Sequence, residues 1–244
     1  MPPAGCARAQ DSIKNETMSS RGLIIAIDGP SGAGKGTVAR ALAARFGCRH
    51  VDTGAMYRAV AWKARHDGLD LADEAAVVAL ARTASCEIGQ RVVIDGHDVT
   101  VDIRTPAIDQ AAAVVARHPG VRRVLVERQR AMGAAGGVVM EGRDIGTVVF
   151  PDADVKVYLD ASPEERARRR AGDAAHAAGR GAVDVAGVAR SLEARDTLDR
   201  SRTVSPLAIA PDAIYVDTSG VPVSDVVSRV AAAIDRKIAE RATG

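Results

Sequence analysis

The residues that most restrict what this chain can fold into lie between Leu23 and Phe46. Leu23-Ile24-Ile25-Ala26-Ile27 is a short apolar run that stops at Asp28. It leads at once into Gly29-Pro30-Ser31-Gly32-Ala33-Gly34-Lys35-Gly36-Thr37, and from Lys35 to Phe46 the chain is alanine-rich and helical in pattern. A strand, a loop of the form G-x-x-x-x-G-K and a helix bring backbone N–H groups and a helix N-terminus together on phosphate oxygens, while the lysine reaches the terminal phosphates. Residues Gly29 to Thr37 are therefore expected to hold a nucleoside polyphosphate.

The loop departs from the usual pattern at one point, where Gly36 stands in place of the Ser or Thr whose hydroxyl ligates magnesium. Thr37 is displaced by ~100° around the helix and cannot simply substitute. Magnesium is then expected to rest mainly on nucleotide phosphates and water, which suits an ion that keeps several waters. A nucleotide switch needs that hydroxyl to sense nucleotide state, and no guanine-reading N-K-x-D follows. Both points disfavour a switch.

Further apolar runs at Val138-Val139-Met140, Val155-Lys156-Val157-Tyr158-Leu159 and Ala213-Ile214-Tyr215-Val216 alternate with helical stretches. That alternation predicts an α/β fold, a doubly wound parallel sheet with helices on both faces. Between about Ser85 and Asp102 β-branched runs broken by Asp95-Gly96 predict a small antiparallel insertion. Helices are expected at Thr105 to His118 and Pro119 to Ala134, so the insertion spans roughly 85–118. Ser162-Pro163-Glu164-Glu165 reads as a helix start. It leads into Arg166, Arg168, Arg169 and Arg170 and a Gly/Ala/His-rich stretch to Gly181, expected to form a mobile arginine-rich lid at about 166–185. A further helix is expected from Val183 to Arg202.

Composition excludes several classes. In 244 residues, 33 Lys and Arg meet 31 acids for a net charge of +2, so no positive field calls for nucleic acid, and 2% aromatics leave few platforms for stacking bases. Cys6, Cys48 and Cys86 lack metal-ligand or disulfide spacing, which fits a reducing cytoplasm. Residues 1–20 contain no apolar signal core and read as a disordered tail, with Met18 a second possible start. Residues 21–244 are expected to form one monomeric domain without membrane contact.

Five blocks in order carry a family resemblance: IAIDGPSGAGKGT, DTGAMYR (52–58), EGRDIGTVVFPDADVKVYLDAS (141–162), EERARRR (164–170) and ARDTLDRSRTVSPL (194–207). Together they resemble the bacterial cytidylate kinases, P-loop nucleoside monophosphate kinases, from about Leu23 to the C-terminal helix. The resemblance implies a P-loop kinase core and transfer of the γ-phosphoryl group of ATP to CMP or dCMP with Mg²⁺. It accommodates Gly36, since members of the family end the loop in either GKST or GKGT.

Phosphoryl transfer needs positioning and positive charge more than covalent chemistry, and arginine forks suit phosphate best. Candidates are Arg58, Arg143, Arg166, Arg169, Arg170, Arg195 and Arg202, with Lys35, Arg143, Arg170 and Arg202 the catalytic set. By the resemblance Arg58, Arg143 and Arg202 hold the CMP phosphate, and Thr53, Arg122 and Asp144 meet cytosine, whose N4 amine suits a carboxylate and whose O2 and N3 suit a donor. Arg195 and Asp199 resemble the family's sugar-binding pair; as i,i+4 neighbours they would otherwise read as an ordinary helix ion pair. One departure stands out: the family usually places a pentose-contacting serine where this chain has Ala113. The five histidines show no ligand spacing, and no general base is needed because a phosphate oxygen is already ionised at neutral pH. A UMP or AMP kinase is the nearest alternative.

Overall fold

The structure, a computed structural model, describes residues 22–172 and 185–243. The expected tail and the Gly/Ala/His-rich part of the expected lid lie outside the described residues. Five strands, β1 (Ile24–Asp28), β2 (Arg49–Asp52), β6 (Val138–Glu141), β7 (Val155–Asp160) and β8 (Ile214–Asp217), form one parallel sheet in the order β2-β6-β1-β7-β8. Three short strands, β3 (Cys86–Ile88), β4 (Val92–Ile94) and β5 (His97–Asp98), form a separate antiparallel sheet.

Central strand β1 is buried along its whole length, which is why it reads as an unbroken apolar run and not as an alternation. Ile25 and Ile27 face a core made with α1 (Lys35–Arg45) and the C-terminal helix α8 (Val223–Thr243), through Val38, Leu42, Val230 and Ile234. Ile24 and Ala26 face the other side, toward Val126 of α5 (Pro119–Gly133) and toward Ile145 and Val149 of a one-turn π-helix at Ile145–Val149. The sheet is thus covered on both faces, as the alternation of runs predicts.

The insertion is built on α2 (Thr53–His66), α3 (Glu74–Thr83) and α4 (Pro106–Val115), with a 3-10 turn at Asp102–Arg104. Ala55 and Ala59 of α2 pack on Val92, Ile94, Val99 and Ile103. Asp95 and Gly96 both have positive φ, 46° and 79°, the geometry of a type I′ hairpin turn. Two helices, α6 (Pro163–Gly172) and α7 (Val185–Ser201), flank the gap in the described chain.

All five parallel strands end on an acid: Asp28, Asp52, Glu141, Asp160 and Asp217. These carboxylates line the carboxyl edge of the sheet, where loops and helix starts present N–H groups. Asp28 accepts from Ile145 N and Gly146 N at 2.8 and 2.7 Å, Asp52 caps α2 through Ala55 N, and Asp217 accepts from Ser219 N. β1 is flanked by β6 and β7, to which the chain returns only later. In open α/β sheets such a switch of direction marks the crevice for a ligand.

Candidate active site

At that carboxyl edge lies a cleft of about 490 Å³, a size that suits small-molecule ligands. Its floor is the loop from Ser31 to Thr37. Gly32 and Gly34 adopt φ of 85° and 87°, a region side chains rarely enter. No side chain caps the N-terminus of α1, so its first turn presents backbone donors to the cleft. Gly29 and Pro30 sit behind this floor: a Cβ on Gly29 would overlap the Leu159 carbonyl oxygen, and Pro30 O accepts from Lys35 Nζ at 2.7 Å. Burial, and after it the nearby Arg143, pulls the Lys35 ammonium down to about 7.

The walls are lined by nine arginines, with Asp52, Glu141, Asp144 and Asp199 as the acids among the lining residues. That surplus of positive charge belongs to a place for polyanions. Of the other sequence-selected residues all but Arg166 are here: Thr53 and Arg58 from α2, Arg122 from α5, Arg143 and Asp144 from the loop after β6, Arg169 and Arg170 from α6, and Arg195, Asp199 and Arg202 from α7 and the residue following it.

Internal carboxylates hold these arginines. Asp52 N-caps α2 and accepts from Arg58 Nη2 at 2.8 Å. Burial works against the ionised form of Asp52, but Arg58 and the Ala55 N–H hold its carboxyl below the usual range. Arg122 Nη2 donates to Asp144 Oδ2 at 2.7 Å, both residues being buried, and the Arg122 guanidinium lies 5.4 Å over the Tyr57 ring. Burial pushes the Tyr57 phenol up to about 12, so it stays protonated. Asp199, 2% exposed, accepts from Arg143 Nε at 3.0 Å and pairs with Arg202. Burial opposes its charge, yet Arg143, Arg202 and Arg195 keep it ionised and below the ordinary carboxylate range. Thr53 Oγ1 donates to Glu141 O at 2.7 Å. Arg58, Arg122 and Arg202 each leave a buried Nε–H without a hydrogen bond. Such donors are costly to leave unmade.

One expectation is corrected, and one alternative reading is set aside. Arg166 does not face the cleft: it is buried and bonded to Ala161 O, Ser31 O and Asp196. It fastens α6 to the phosphate loop, so the arginine-rich stretch begins as packed structure. Arg195 and Asp199 are not each other's closest ion partners either. Asp199 turns to Arg143 and Arg202, while Arg195 Nη1 lies 3.8 Å from Asp109 Oδ1; burial, with Arg143 next, lowers Arg195 to about 10.

Sequence reasoning missed Asp52, Tyr57 and Glu141. Glu141 carried a readable signal, an acid that closes the apolar run Val138-Val139-Met140 beside a glycine. Glu141 also receives His50 Nε2 at 2.9 Å, and its Oε1 would lie 3.1 Å from a Cβ placed on Gly36.

Residues 25–236 match the family described as cytidylate kinase. Over 217 residues the chain is 52% identical to a cytidylate kinase of Pelotomaculum thermopropionicum, covering 86% of this chain and 95% of that one. A cytidylate kinase of Geobacillus kaustophilus is 45% identical over 223 residues, 89% of this chain and 99% of that one. The chain is also 47% identical, over 214 residues, to a bifunctional pantoate ligase/cytidylate kinase of Synechococcus sp., covering 85% of this chain but 44% of that longer protein. No helix among the described residues is long and apolar enough to cross a membrane.

Proposed function

Since the chain belongs to the cytidylate kinase family, we propose that its cleft binds ATP on the glycine floor and CMP against the arginine walls. The enzyme transfers the γ-phosphoryl group of ATP to CMP or dCMP. An oxygen of the CMP phosphate attacks the γ-phosphorus, the bond from that phosphorus to the β–γ bridging oxygen breaks, and ADP leaves with its electron pair. No proton need be removed from the nucleophile.

In this reading the loop amides and Lys35 hold the ATP phosphates, and Arg143, Arg170 and Arg202 surround the group in flight. Arg58, with Arg143 and Arg202, fixes the CMP phosphate. Arg195 and Asp199 serve the sugar, and Thr53, Arg122 and Asp144 the base. The observation that carries the choice of base is the buried Arg122–Asp144 pair at 2.7 Å: a donor and an acceptor side by side match the N3 and N4 edge of cytosine. UMP would turn an O4 acceptor toward Asp144.

The site's donors fit a hydrated Mg²⁺. The absent side chain at Gly36 leaves a carboxylate, Glu141, facing that point, and hard oxygen donors suit this ion. Nucleotide phosphates and water would hold it, with Glu141 as the protein's carboxylate toward it. When bound, the ion neutralises charge on the β- and γ-phosphates. We also assign the enzyme to the cytoplasm, in keeping with Cys48 and Cys86, free thiols among the described residues, and read it as a monomer.

A coupled assay with ATP and a panel of CMP, dCMP, UMP and AMP tests the assignment. Turnover of CMP or dCMP well above UMP and AMP is expected. Preference for UMP or AMP, or steady ATP consumption without an acceptor, would overturn it.

A further inference from the structure

One carboxylate beside the cleft, outside its lining but bonded to arginines that line it, has no place in the division above. Asp109 sits in the first turn of α4. Ala112, Ala113 and Ala116 follow it at i+3, i+4 and i+7, and all three line the cleft. Asp109 therefore stands on the cleft-facing stripe of α4 and is its polar member. Its Oδ2 accepts from Arg170 Nη2 of α6, and its Oδ1 lies 3.8 Å from Arg195 Nη1 of α7. One side chain of the insertion thus reaches two arginines from separate helices on the opposite wall.

Electrostatics makes that reach consequential. Arg170 and Arg195 share the cleft with seven other arginines, so like charges push each guanidinium away from the place where phosphate will sit. Burial and the neighbouring Arg143 already weigh against the charged form of Arg195, and Asp109 is among the groups that favour it. Long arginine side chains lose rotamer freedom when fixed, and a bond made within the protein removes that loss from the reaction itself.

We propose that Asp109 is a positioning residue for the transfer reaction: it holds Arg170 toward the phosphoryl group and Arg195 toward the sugar before substrate binds. This rests on the roles given above to Arg170 and Arg195. Asp109 touches neither substrate and acts through the two arginines.

A double-mutant cycle tests this. Asp109→Ala, the near-isosteric Asp109→Asn and the charge-retaining Asp109→Glu would each be measured alone, and Asp109→Ala also in Arg170→Ala and Arg195→Ala backgrounds. Melting temperature checks the fold, with Asp109→Asn the working variant should alanine fail to fold. Asp109→Ala should lower kcat about tenfold and raise KM for CMP several-fold while KM for ATP stays within about twofold, with part of the loss restored by Asp109→Glu. In the Arg170→Ala background the effect on kcat should shrink to under about twofold, and in the Arg195→Ala background the effect on KM for CMP should shrink likewise. Equal losses in all three backgrounds, or normal kinetics of Asp109→Ala beside impaired Arg170→Ala and Arg195→Ala enzymes, would overturn the positioning role. Normal turnover by Arg170→Ala would instead overturn the role of Arg170, a distinguishable failure.

Discussion

The floor and the walls of the cleft recognise phosphate by opposite means. The floor is backbone. Seven consecutive residues, Ser31 to Thr37, bring amides and one lysine to the ligand, and the shape is fixed by glycines at positive φ, of which Gly29 and Gly32 also lie against neighbours with no room for a Cβ. The walls are side chain. Arginines from α2, α5, α6, α7 and the loop after β6 are held by Asp52, Asp109, Asp144 and Asp199. A site of amides is ready without exchanging partners, since its donors are fixed by the chain path. A site of paired arginines keeps its charges in place with internal carboxylates, and a substrate must share or displace those pairs. The floor should therefore be intolerant of any added atom, and the walls open to graded tuning.

The harshest way to break this contrast is on the floor. Gly29 has φ of 144° and would drive a Cβ into the Leu159 carbonyl oxygen. Gly29→Ala should destabilise the protein by about 3 kcal/mol or more, beyond ordinary overpacking. At roughly 2–4 °C per kcal/mol for a chain this size, the fall in melting temperature would be plain. A variant that melts with the wild type would show that the backbone floor can yield.

Lys35→Ala asks for function without the strain. The Lys35 side chain touches Pro30 O and faces the cleft, so the fold should persist while kcat falls ~10²-fold or more, the scale of losing one transition-state charge. The free protein adds a second readout. Burial, with Arg143 behind it, holds Lys35 at about 7, so at pH 8 most molecules carry the neutral amine. ATP phosphates favour the ammonium, and binding at pH 8 should take up a proton. At pH 6 the amine is already charged and that uptake should vanish. Calorimetry in buffers of differing ionisation heat measures it, and Lys35→Ala should abolish it; uptake that persists in the variant would place the proton elsewhere.

On the walls the effect should be smaller and selective. Asp144→Asn keeps the shape but replaces an acceptor oxygen with a group that can donate. Arg122 retains one oxygen to bond, and the O4 of UMP gains a donor where the N4 amine of CMP loses its acceptor. The CMP-to-UMP ratio of kcat/KM should shift toward UMP by about 1–3 kcal/mol, the range for unpairing a buried polar group. An unchanged ratio would remove Asp144 from base recognition and leave the Arg122 pair as mere scaffolding.

The same contrast explains what could be read from the sequence. The floor is contiguous, so a strand, a glycine loop and a helix announce it within two dozen residues. Four of the five parallel strands were legible as apolar runs: β1, β6 and β7 because they are covered on both faces, and the half-covered edge strand β8 because Ile214, Tyr215 and Val216 stand side by side in it. The fifth, Arg49–Asp52, was not: it is an edge strand in which Val51 alone is buried, and four residues with one apolar side chain carry no period. The walls are scattered across five elements, and nothing local separates Arg58 or Arg202 from the other basic residues of the chain. The family resemblance assigns both to the CMP phosphate, and Arg166, a candidate from the 164–170 arginine cluster, turns inward to Asp196 and Ser31. Asp199 shows the limit well. Helical spacing pairs it with Arg195, but the fold offers it Arg143 from a loop 56 residues away. Which of several nearby cations a buried acid takes is decided by tertiary placement, which spacing does not encode.

The finest test adds one hydroxyl to the walls. Ala113 lines the cleft, half-buried, one turn after Asp109 on the same stripe of α4. The stripe around it is alanine, so a serine here introduces a donor and acceptor without a charge and without displacing a carboxylate from its arginine. If this wall faces the sugar, Ala113→Ser should add one hydrogen bond of roughly 0.5–1.5 kcal/mol. KM for CMP or dCMP should then fall by up to about tenfold, with KM for ATP unmoved because the floor is untouched. A larger fall for CMP than for dCMP would place the new hydroxyl beside the 2′-oxygen, and an equal fall would place it beside the 3′-oxygen. Unchanged KM for both nucleotides in a well-folded variant would move the sugar away from α4, and with it the division of the walls that assigns Arg195 to the pentose.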